Sequence, residues 1–267
     1  MTQPHKPAPA RPAASILLIR DGARGLEVLM LERARTMAFA PGAVVFPGGR
    51  VDRGDWHTAL RRHGRGSLNP TDLAHRSACI REAFEEVGLL LARDRRTGRS
   101  VTESRRLTLD HRFRRRLTDG GIRLTGIAQR ARLEFAPEAL VPFAHWITPE
   151  PLPKRFDTRF YLVAAPRGQR ARGDGSEAVE LAWRRPADML GGWEEGRTPL
   201  MFPTRLNLMK LARADTVARA LAQARATPVF TVLPKVSLAD GRRSLTIPAE
   251  AGYGVTAATQ RDFELGA

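Results

Sequence analysis

The sequence predicts an α/β fold, and three observations carry that prediction. Two short apolar runs of strand length, residues 15–19 and 26–31, open the ordered part of the chain. Residues 73–87 place apolar side chains at helical spacing with acidic ones on another side. Further strand-like runs near 143–147, 159–164 and 179–183 precede a second long helical stretch over 204–225, with Leu206, Met209, Leu211, Val217 and Leu221 at helical spacing. A chain of 267 residues suits one large domain with decorations, or at most two small ones.

In chain order, residues 1–13 are rich in Pro and Ala, have little to bury and predict a disordered arm. The two opening runs flank Asp21-Gly22-Ala23-Arg24-Gly25, a turn composition, so they predict a β-hairpin. Residues 43–46 lie between Pro41-Gly42 and Pro47-Gly48-Gly49 and predict a short strand running into a glycine turn. Residues 53–72 are polar and basic and predict a loop, with a helical turn near 56–62. Thr71 or Asp72 is then the expected cap of the 73–87 helix, and Gly88 its stop. Residues 102–119 predict a charged helix. The tail after 228 alternates Val229, Thr231 and Leu233, and is strand-like again at 245–247.

Composition excludes several classes. No apolar run approaches 18 residues, so no membrane span is expected, and the run at 16–19 is too short for a signal-peptide core. One cysteine, Cys79, rules out an internal disulfide and points to the reducing cytoplasm; it is expected buried and inert. The net charge of +16 has two readings, a polyanion-binding surface or an arginine-rich exterior. The arginines run along the whole chain without an aromatic-interleaved basic motif, so nucleic acid is not the expected partner. A phosphate-rich small substrate would still gain from the field. The histidines show no ligand spacing for zinc, and Ser176 has no nucleophile-elbow context. Trp146 and Trp183 are expected in the core.

The chemistry concentrates in the 73–87 helix. At 100° per residue, Ile80, Phe84 and Val87 share one face. Glu82, Glu85 and Glu86 fall together opposite, at i, i+3 and i+4, beside Arg81. Like charges so spaced cost roughly 0.2–0.5 kcal/mol per pair. Either solvent tolerates that cost or a hard divalent cation with oxygen ligands offsets it. Upstream, Gly48-Gly49 would let backbone approach a metal or phosphate closely, and the carboxylate Asp55 follows.

These residues resemble the Nudix box, Gly-x5-Glu-x7-Arg-Glu-U-x-Glu-Glu-x-Gly-U, where U is a large apolar residue. Gly49 stands at the first glycine and Asp55 six positions later, where the family has Glu. The second half matches as Arg81-Glu82-Ala83-Phe84-Glu85-Glu86-Val87-Gly88-Leu89. Between Asp55 and Arg81 lie 25 residues instead of the family's seven, an 18-residue interruption expected in the loop at about 56–72. The interrupted box is similar to that of the Nudix subgroup that includes peroxisomal coenzyme A diphosphatases. Residues 29–34 with Gly42 and Phe46-Pro47-Gly48-Gly49 have the spacing of the signature preceding the box in coenzyme A-cleaving members. Ala38 stands where that signature has arginine, and Leu31 where it has threonine.

The resemblance implies a Nudix α/β/α sandwich with a mixed β-sheet over residues 14–225, and a C-terminal extension, 226–267, packing on it. It implies Mg²⁺ or Mn²⁺ held by Glu82, Glu85, Glu86 and the Gly49 carbonyl, with catalysis by Glu82, Glu85, Glu86 and Arg81. Arg81 would hold the carboxylates through Asp55 or Glu82. The general base is Glu82 or a glutamate of a late loop, Glu177 or Glu180, with a place on a strand edge as the competing reading for Glu180. Arg33, Gly48 and Arg155 are candidates to meet substrate phosphate; solvated surface or an edge ion pair is the competing reading for the two arginines. The implied reaction is metal-dependent hydrolysis of a diphosphate bond in a small-molecule nucleoside diphosphate derivative, with coenzyme A or acyl-CoA first. ADP-ribose, NADH and dinucleoside polyphosphates are rivals within the class. A non-catalytic Nudix-like binding module and a charge-driven RNA-associated protein are rivals outside it. No membrane is expected, and a homodimer is left open.

Overall fold

A computed structural model describes residues 7–34, 41–56, 68–173, 178–239 and 242–264. Strand β1 (Arg11–Gly22) pairs antiparallel with β2 (Gly25–Arg33) through the register Gly22↔Gly25, and Gly25 sits at φ +112°. The hairpin is therefore where the sequence puts it. Ile16, Leu17, Leu18 and Ile19 are all fully buried, because helices cover both faces of this strand. The pairing of β1 starts at Arg11, earlier than a disordered arm to residue 13 allows: Arg11 to Ala13 already pair with the strand at Phe156–Ala164. Residues 1–6 lie outside the described ones.

The sheet opens as a wedge. Beyond Ile19↔Val28, β1 and β2 part. Strand β3 (Val44–Val45) takes the place beside Leu31 and Glu32 of β2, and β4 (Gly48–Arg50) pairs with Ala13 to Ser15 of β1. The expected glycine turn is thus itself a short strand.

Helix α1 (Pro70–Glu85) starts earlier than expected. Its cap is Asn69, whose side chain accepts from the Asp72 amide, with Pro70 in the first turn where its missing N–H costs nothing. Gly88 follows at φ +65°.

After α1 comes a module built of the β-hairpin β5 (Ala92–Asp94) and β6 (Leu133–Phe135) and the helical run between them. That run comprises α2 (Glu103–Leu109), a π-helical turn (Asp110–Arg114), α3 (Arg115–Thr118) and α4 (Leu124–Ala131). Strands β7 (Val141–Ile147), β8 (Phe156–Ala164) and β9 (Ala178–Arg184) return to the main sheet. There β8 runs parallel to β1, β7 antiparallel to β8, and β9 antiparallel to β2.

The expected long helix over 204–225 is two, α6 (Phe202–Leu211) and α7 (Val217–Ala226), preceded by α5 (Pro186–Glu194). The break is local: Thr216 caps α7 by accepting from the Arg219 amide, and Asp21 accepts from the Val217 amide. In the tail, β10 (Thr231–Val232) extends the sheet parallel to β7. The hairpin of β11 (Lys235–Ala239) and β12 (Arg242–Thr246) precedes α8 (Gln260–Glu264). Tyr253 accepts from the Trp146 indole at 3.0 Å and donates to Asn207 at 2.9 Å. Asp262 pairs with the buried Arg205 at 2.8 Å.

The result is an α/β/α sandwich around a mixed sheet. On one face Ile16, Leu18, Leu29, Leu31 and Tyr161 pack with Ile80, Ala83, Phe84 and Val87 of α1 and with Phe113, Leu117 and Ile127 of the helical module. On the other, Leu17, Ile19, Val28 and Met30 pack with Met189, Leu206, Leu208 and Leu211 of α5 and α6. Cys79 is buried in the first layer. No helix among the described residues is long and apolar enough to cross a membrane.

Candidate metal centre at the end of α1

The acidic side of α1 is not a solvent face. Strand β4 and the turn after it cover it, leaving Glu82 at 8% and Asp55 at 3% exposure. The two glycines of β4 make this closeness feasible. A Cβ on Gly49 would overlap the Glu82 carboxylate, and one on Gly48 would overlap the Ala14 carbonyl oxygen. The Gly48 amide donates to Glu86 Oε2 at 2.9 Å.

Arg81 is the hub. Its Nη1 donates to Glu82 Oε1 at 2.9 Å and to Glu85 Oε2 at 2.8 Å. Its Nη2 donates to Asp55 Oδ2 at 3.0 Å and to the Arg50 carbonyl at 2.8 Å, and Nε faces Asp55 as well. Asp55 also accepts from the Asp52 amide at 2.9 Å, which closes the turn. Sequence reasoning expected Arg81 to act through Asp55 or Glu82; it engages both, and Glu85 too. Asp55 stands where the box has glutamate, and it reaches Arg81 across the interruption.

The electrostatics show what this arrangement lacks. Asp55, Glu82 and Glu85 bind one guanidinium group, Asp52 stands 3.9 Å from it, and Glu86 accepts instead from the Gly48 amide. Burial pushes Glu82 up to about 7 against the pull of Arg81, and neighbouring Glu85 adds to the rise. Burial likewise raises Asp55 and Glu85 despite Arg81. Burial alone would loosen the proton of Arg81, but Glu82, Asp55 and Glu85 reverse that and hold it firmly charged. The cluster is thus short of positive charge, and its donors are all oxygen, the set that suits a hard divalent cation. Among the described residues no three His, Cys, Asp or Glu side chains already converge as a cage. The Arg81 guanidinium bridges Glu82 and Glu85, and a metal taking both as ligands would compete with it for the same oxygens.

The other expected site residues scatter. Arg33 lies at the end of β2, its amide donating to the Ala43 carbonyl. Arg155 departs from the expectation: it is buried, and its guanidinium donates to the carbonyls of Thr148 at 3.0 Å and Ala8 at 2.7 Å, so it pins the chain before β1 rather than facing the cluster. Glu180 lies on β9 and does not face the cluster. Leu181 and Trp183 of β9 pack toward the α1 layer, so Glu180 faces the other way. There it pairs with Arg184 and lines a cleft of about 760 Å³ with Met30, Val44 and Met189. Glu177, Ala38, Ser176 and the helical turn expected after Trp56 lie outside the described residues.

Sequence reasoning missed two arginines. Arg106 donates to the Gly88 carbonyl and Arg114 to the Glu85 carbonyl, each at 2.9 Å. The signal was there for Arg106, which shares the apolar stripe of Leu109, Phe113 and Leu117.

Comparison with known proteins now decides the family. The description that matches is the NUDT19 Nudix domain, over residues 57–211, more than half of the chain. The chain belongs to this family. Among curated relatives of this Nudix chain, acyl-coenzyme A diphosphatase NUDT19 of Xenopus laevis is 24% identical over 69% of the chain and 59% of its own length. The Homo sapiens protein of the same name is 28% identical over 62% and 55%. The aligned region thus spans less than two thirds of either relative. A solved NUDIX hydrolase from Alicyclobacillus acidocaldarius superposes with a TM-score of 0.67 at 29% identity, covering 83% of this chain and 99% of that one. The mixed sheet between helix layers is therefore the Nudix fold, and the family generally uses divalent metal ions.

Proposed function

We propose that the protein is a divalent-metal-dependent hydrolase of the diphosphate bond in a nucleoside diphosphate derivative. Coenzyme A or an acyl-CoA is the first substrate, Mg²⁺ or Mn²⁺ the ion, and the cytoplasm the setting. The observation that supports this most is the cluster of Glu82, Glu85 and Glu86, in which Arg81 holds Glu82 and Glu85, Gly48 holds Glu86, and Gly49 stands against Glu82. Glu82, Glu85, Glu86 and the Gly49 carbonyl would hold the ion. The ion supplies Lewis-acid polarisation of a phosphoryl oxygen, worth several kcal/mol of charge stabilisation.

The chain's own residues do the rest. Water attacks one phosphorus, the anhydride P–O bond breaks, and two phosphate monoesters leave. Glu82, buried against Gly49 with its Oε1 held by Arg81, is our choice to take the proton of that water. Arg81 fixes the aim of Glu82 and Glu85. The names of the NUDT19 relatives favour the coenzyme A reading. A module that only bound nucleotide would have no use for so costly a buried acidic set.

A panel of coenzyme A, acyl-CoA, ADP-ribose, NADH and a dinucleoside polyphosphate, run with Mg²⁺ and with Mn²⁺, tests this. Coenzyme A or its acyl ester should turn over fastest, and Glu85→Gln should abolish the difference from buffer. Faster cleavage of another member would reassign the substrate within the class; no cleavage of any would leave the binding module.

A further inference from the structure

The carboxylates proposed as metal ligands sit at the wrong end of their helix. Glu85 is the last residue of α1 and Glu86 its cap, where the helix dipole is negative and carbonyls lack partners. The last turn of α1 has no basic residue of its own. Its cations come from the helical module. Arg114, 9% exposed, donates from Nε to the Glu85 carbonyl at 2.9 Å and from Nη2 to the Arg172 carbonyl at 2.8 Å. The Arg172 amide donates to the Val87 carbonyl at 2.9 Å, which closes a ring of backbone contacts around the helix end. Residue 172 belongs to the segment leading into β9, so Arg114 joins three parts of the chain at one point.

The π-helical turn Asp110–Arg114 explains how the side chain arrives there. An α-helical stripe through Arg106, Leu109, Phe113 and Leu117 would leave position 114 off the buried face. The wider turn brings Phe113 and Arg114 inward together. Gly88 completes the fit: a Cβ there would stand 3.0 Å from Arg114 Nη1 and 3.3 Å from the Arg172 carbonyl oxygen, besides the strain of φ +65°.

We propose that Arg114 is a positioning residue for the acidic site: by holding the Glu85 carbonyl it keeps the last turn of α1 helical and so fixes the aim of Glu85 and Glu86 toward β4. The proposal rests on the reading of the cluster as a metal site. Arg106 is the internal comparison, since it bonds the Gly88 carbonyl beyond the helix and is bound by Glu103, while Asp110 pairs with both arginines, at 3.2 Å from Arg106 and 3.6 Å from Arg114.

The experiment is calorimetric titration of Mn²⁺ into the substrate-free full chain, natural, Arg114→Gln and Arg114→Lys, followed by kcat and KM with coenzyme A. Arg114→Gln should weaken Mn²⁺ binding and lower kcat by about tenfold each, the lower end of what losing a ligand's supporting partner costs, and leave KM within about twofold. Arg114→Lys keeps the charge and can reach one carbonyl, so it should recover part of both losses. Natural Mn²⁺ affinity in folded Arg114→Gln would overturn the proposal. If that variant does not fold, natural affinity and kcat in Arg114→Lys would overturn it instead. A natural chain that binds Mn²⁺ but cleaves no diphosphate refutes the activity and leaves Arg114 to be judged on affinity alone.

Discussion

At the end of α1, the carboxylates of Asp55, Glu82 and Glu85 share one arginine, and Asp55 and Glu82 are nearly removed from water. Beside them, residues 92–132 carry thirteen arginines against four acidic residues, which is nine of the sixteen net positive charges. Eleven of those arginines are exposed; the two buried ones are Arg114, which reaches the last residue of α1, and Arg106, which reaches Gly88 just beyond it. The acidic region holds charge in one geometry, with Asp55, Glu82 Oε1 and Glu85 Oε2 all tied to Arg81. The basic region spreads charge over solvent, where screening makes each pair weak. A reaction centre can be built from the first kind of charge. The second kind can only add to the field around it, which draws anionic substrates.

The comparison can be broken at several points. The largest effect belongs to Glu85→Gln, which should lower kcat with any accepted diphosphate by roughly 10²-fold or more, the scale of several kcal/mol of lost metal-assisted stabilisation. A fall under tenfold would mean that the cluster is not where the bond breaks. Next comes Arg81→Leu, which strips the shared cation from buried carboxylates. Removing one partner of a buried ion pair costs about 3 kcal/mol or more, and the melting temperature should drop by roughly 10 °C. An unchanged melting curve would show the cluster to be better hydrated than its burial implies.

A smaller effect concerns pH. Glu82 binds its proton more tightly folded, at about 7, than a free glutamate at 4.5. Its contribution to stability is therefore fully present below pH 4.5 and is lost as pH rises through 7. In metal-free protein, Glu82→Gln should gain stability relative to the natural chain as pH rises across that window, and Mg²⁺ should narrow the gap. A difference flat with pH in melting scans would refute the raised proton affinity. The smallest effect is expected from Arg115→Ala, whose side chain is 93% exposed beside Asp119 at 3.7 Å. Melting should shift by under about 2 °C, as for most surface changes, while a large shift would show that the basic surface is not simply solvated.

Much of the site was legible because it is local in sequence. Glu82, Glu85, Glu86 and Arg81 lie within one six-residue run, and Gly48-Gly49 and Asp55 announce themselves by composition. The strands of the main sheet were legible for the same reason, as fully apolar or alternating runs. What could not be read depends on distance or on small energies. The split between α6 and α7 turns on one threonine cap. The early start of α1 turns on Asn69-Pro70, a pair that reads equally well as a loop. The role of Arg155 needed the position of Ala8, and that of Arg114 needed a π-turn whose extra residue no helical periodicity reveals. The direction of Glu180 could not be read because the face of a strand cannot be assigned until its register is known.

The central claim is that the end of α1 is a divalent-metal site where a phosphoanhydride bond is hydrolysed. The most direct measurement is product release from coenzyme A by the natural chain with Mg²⁺, with excess chelator, and by Glu85→Gln with Mg²⁺. The account predicts two phosphate monoesters in the first case and background in the other two. Equal release in all three would contradict it.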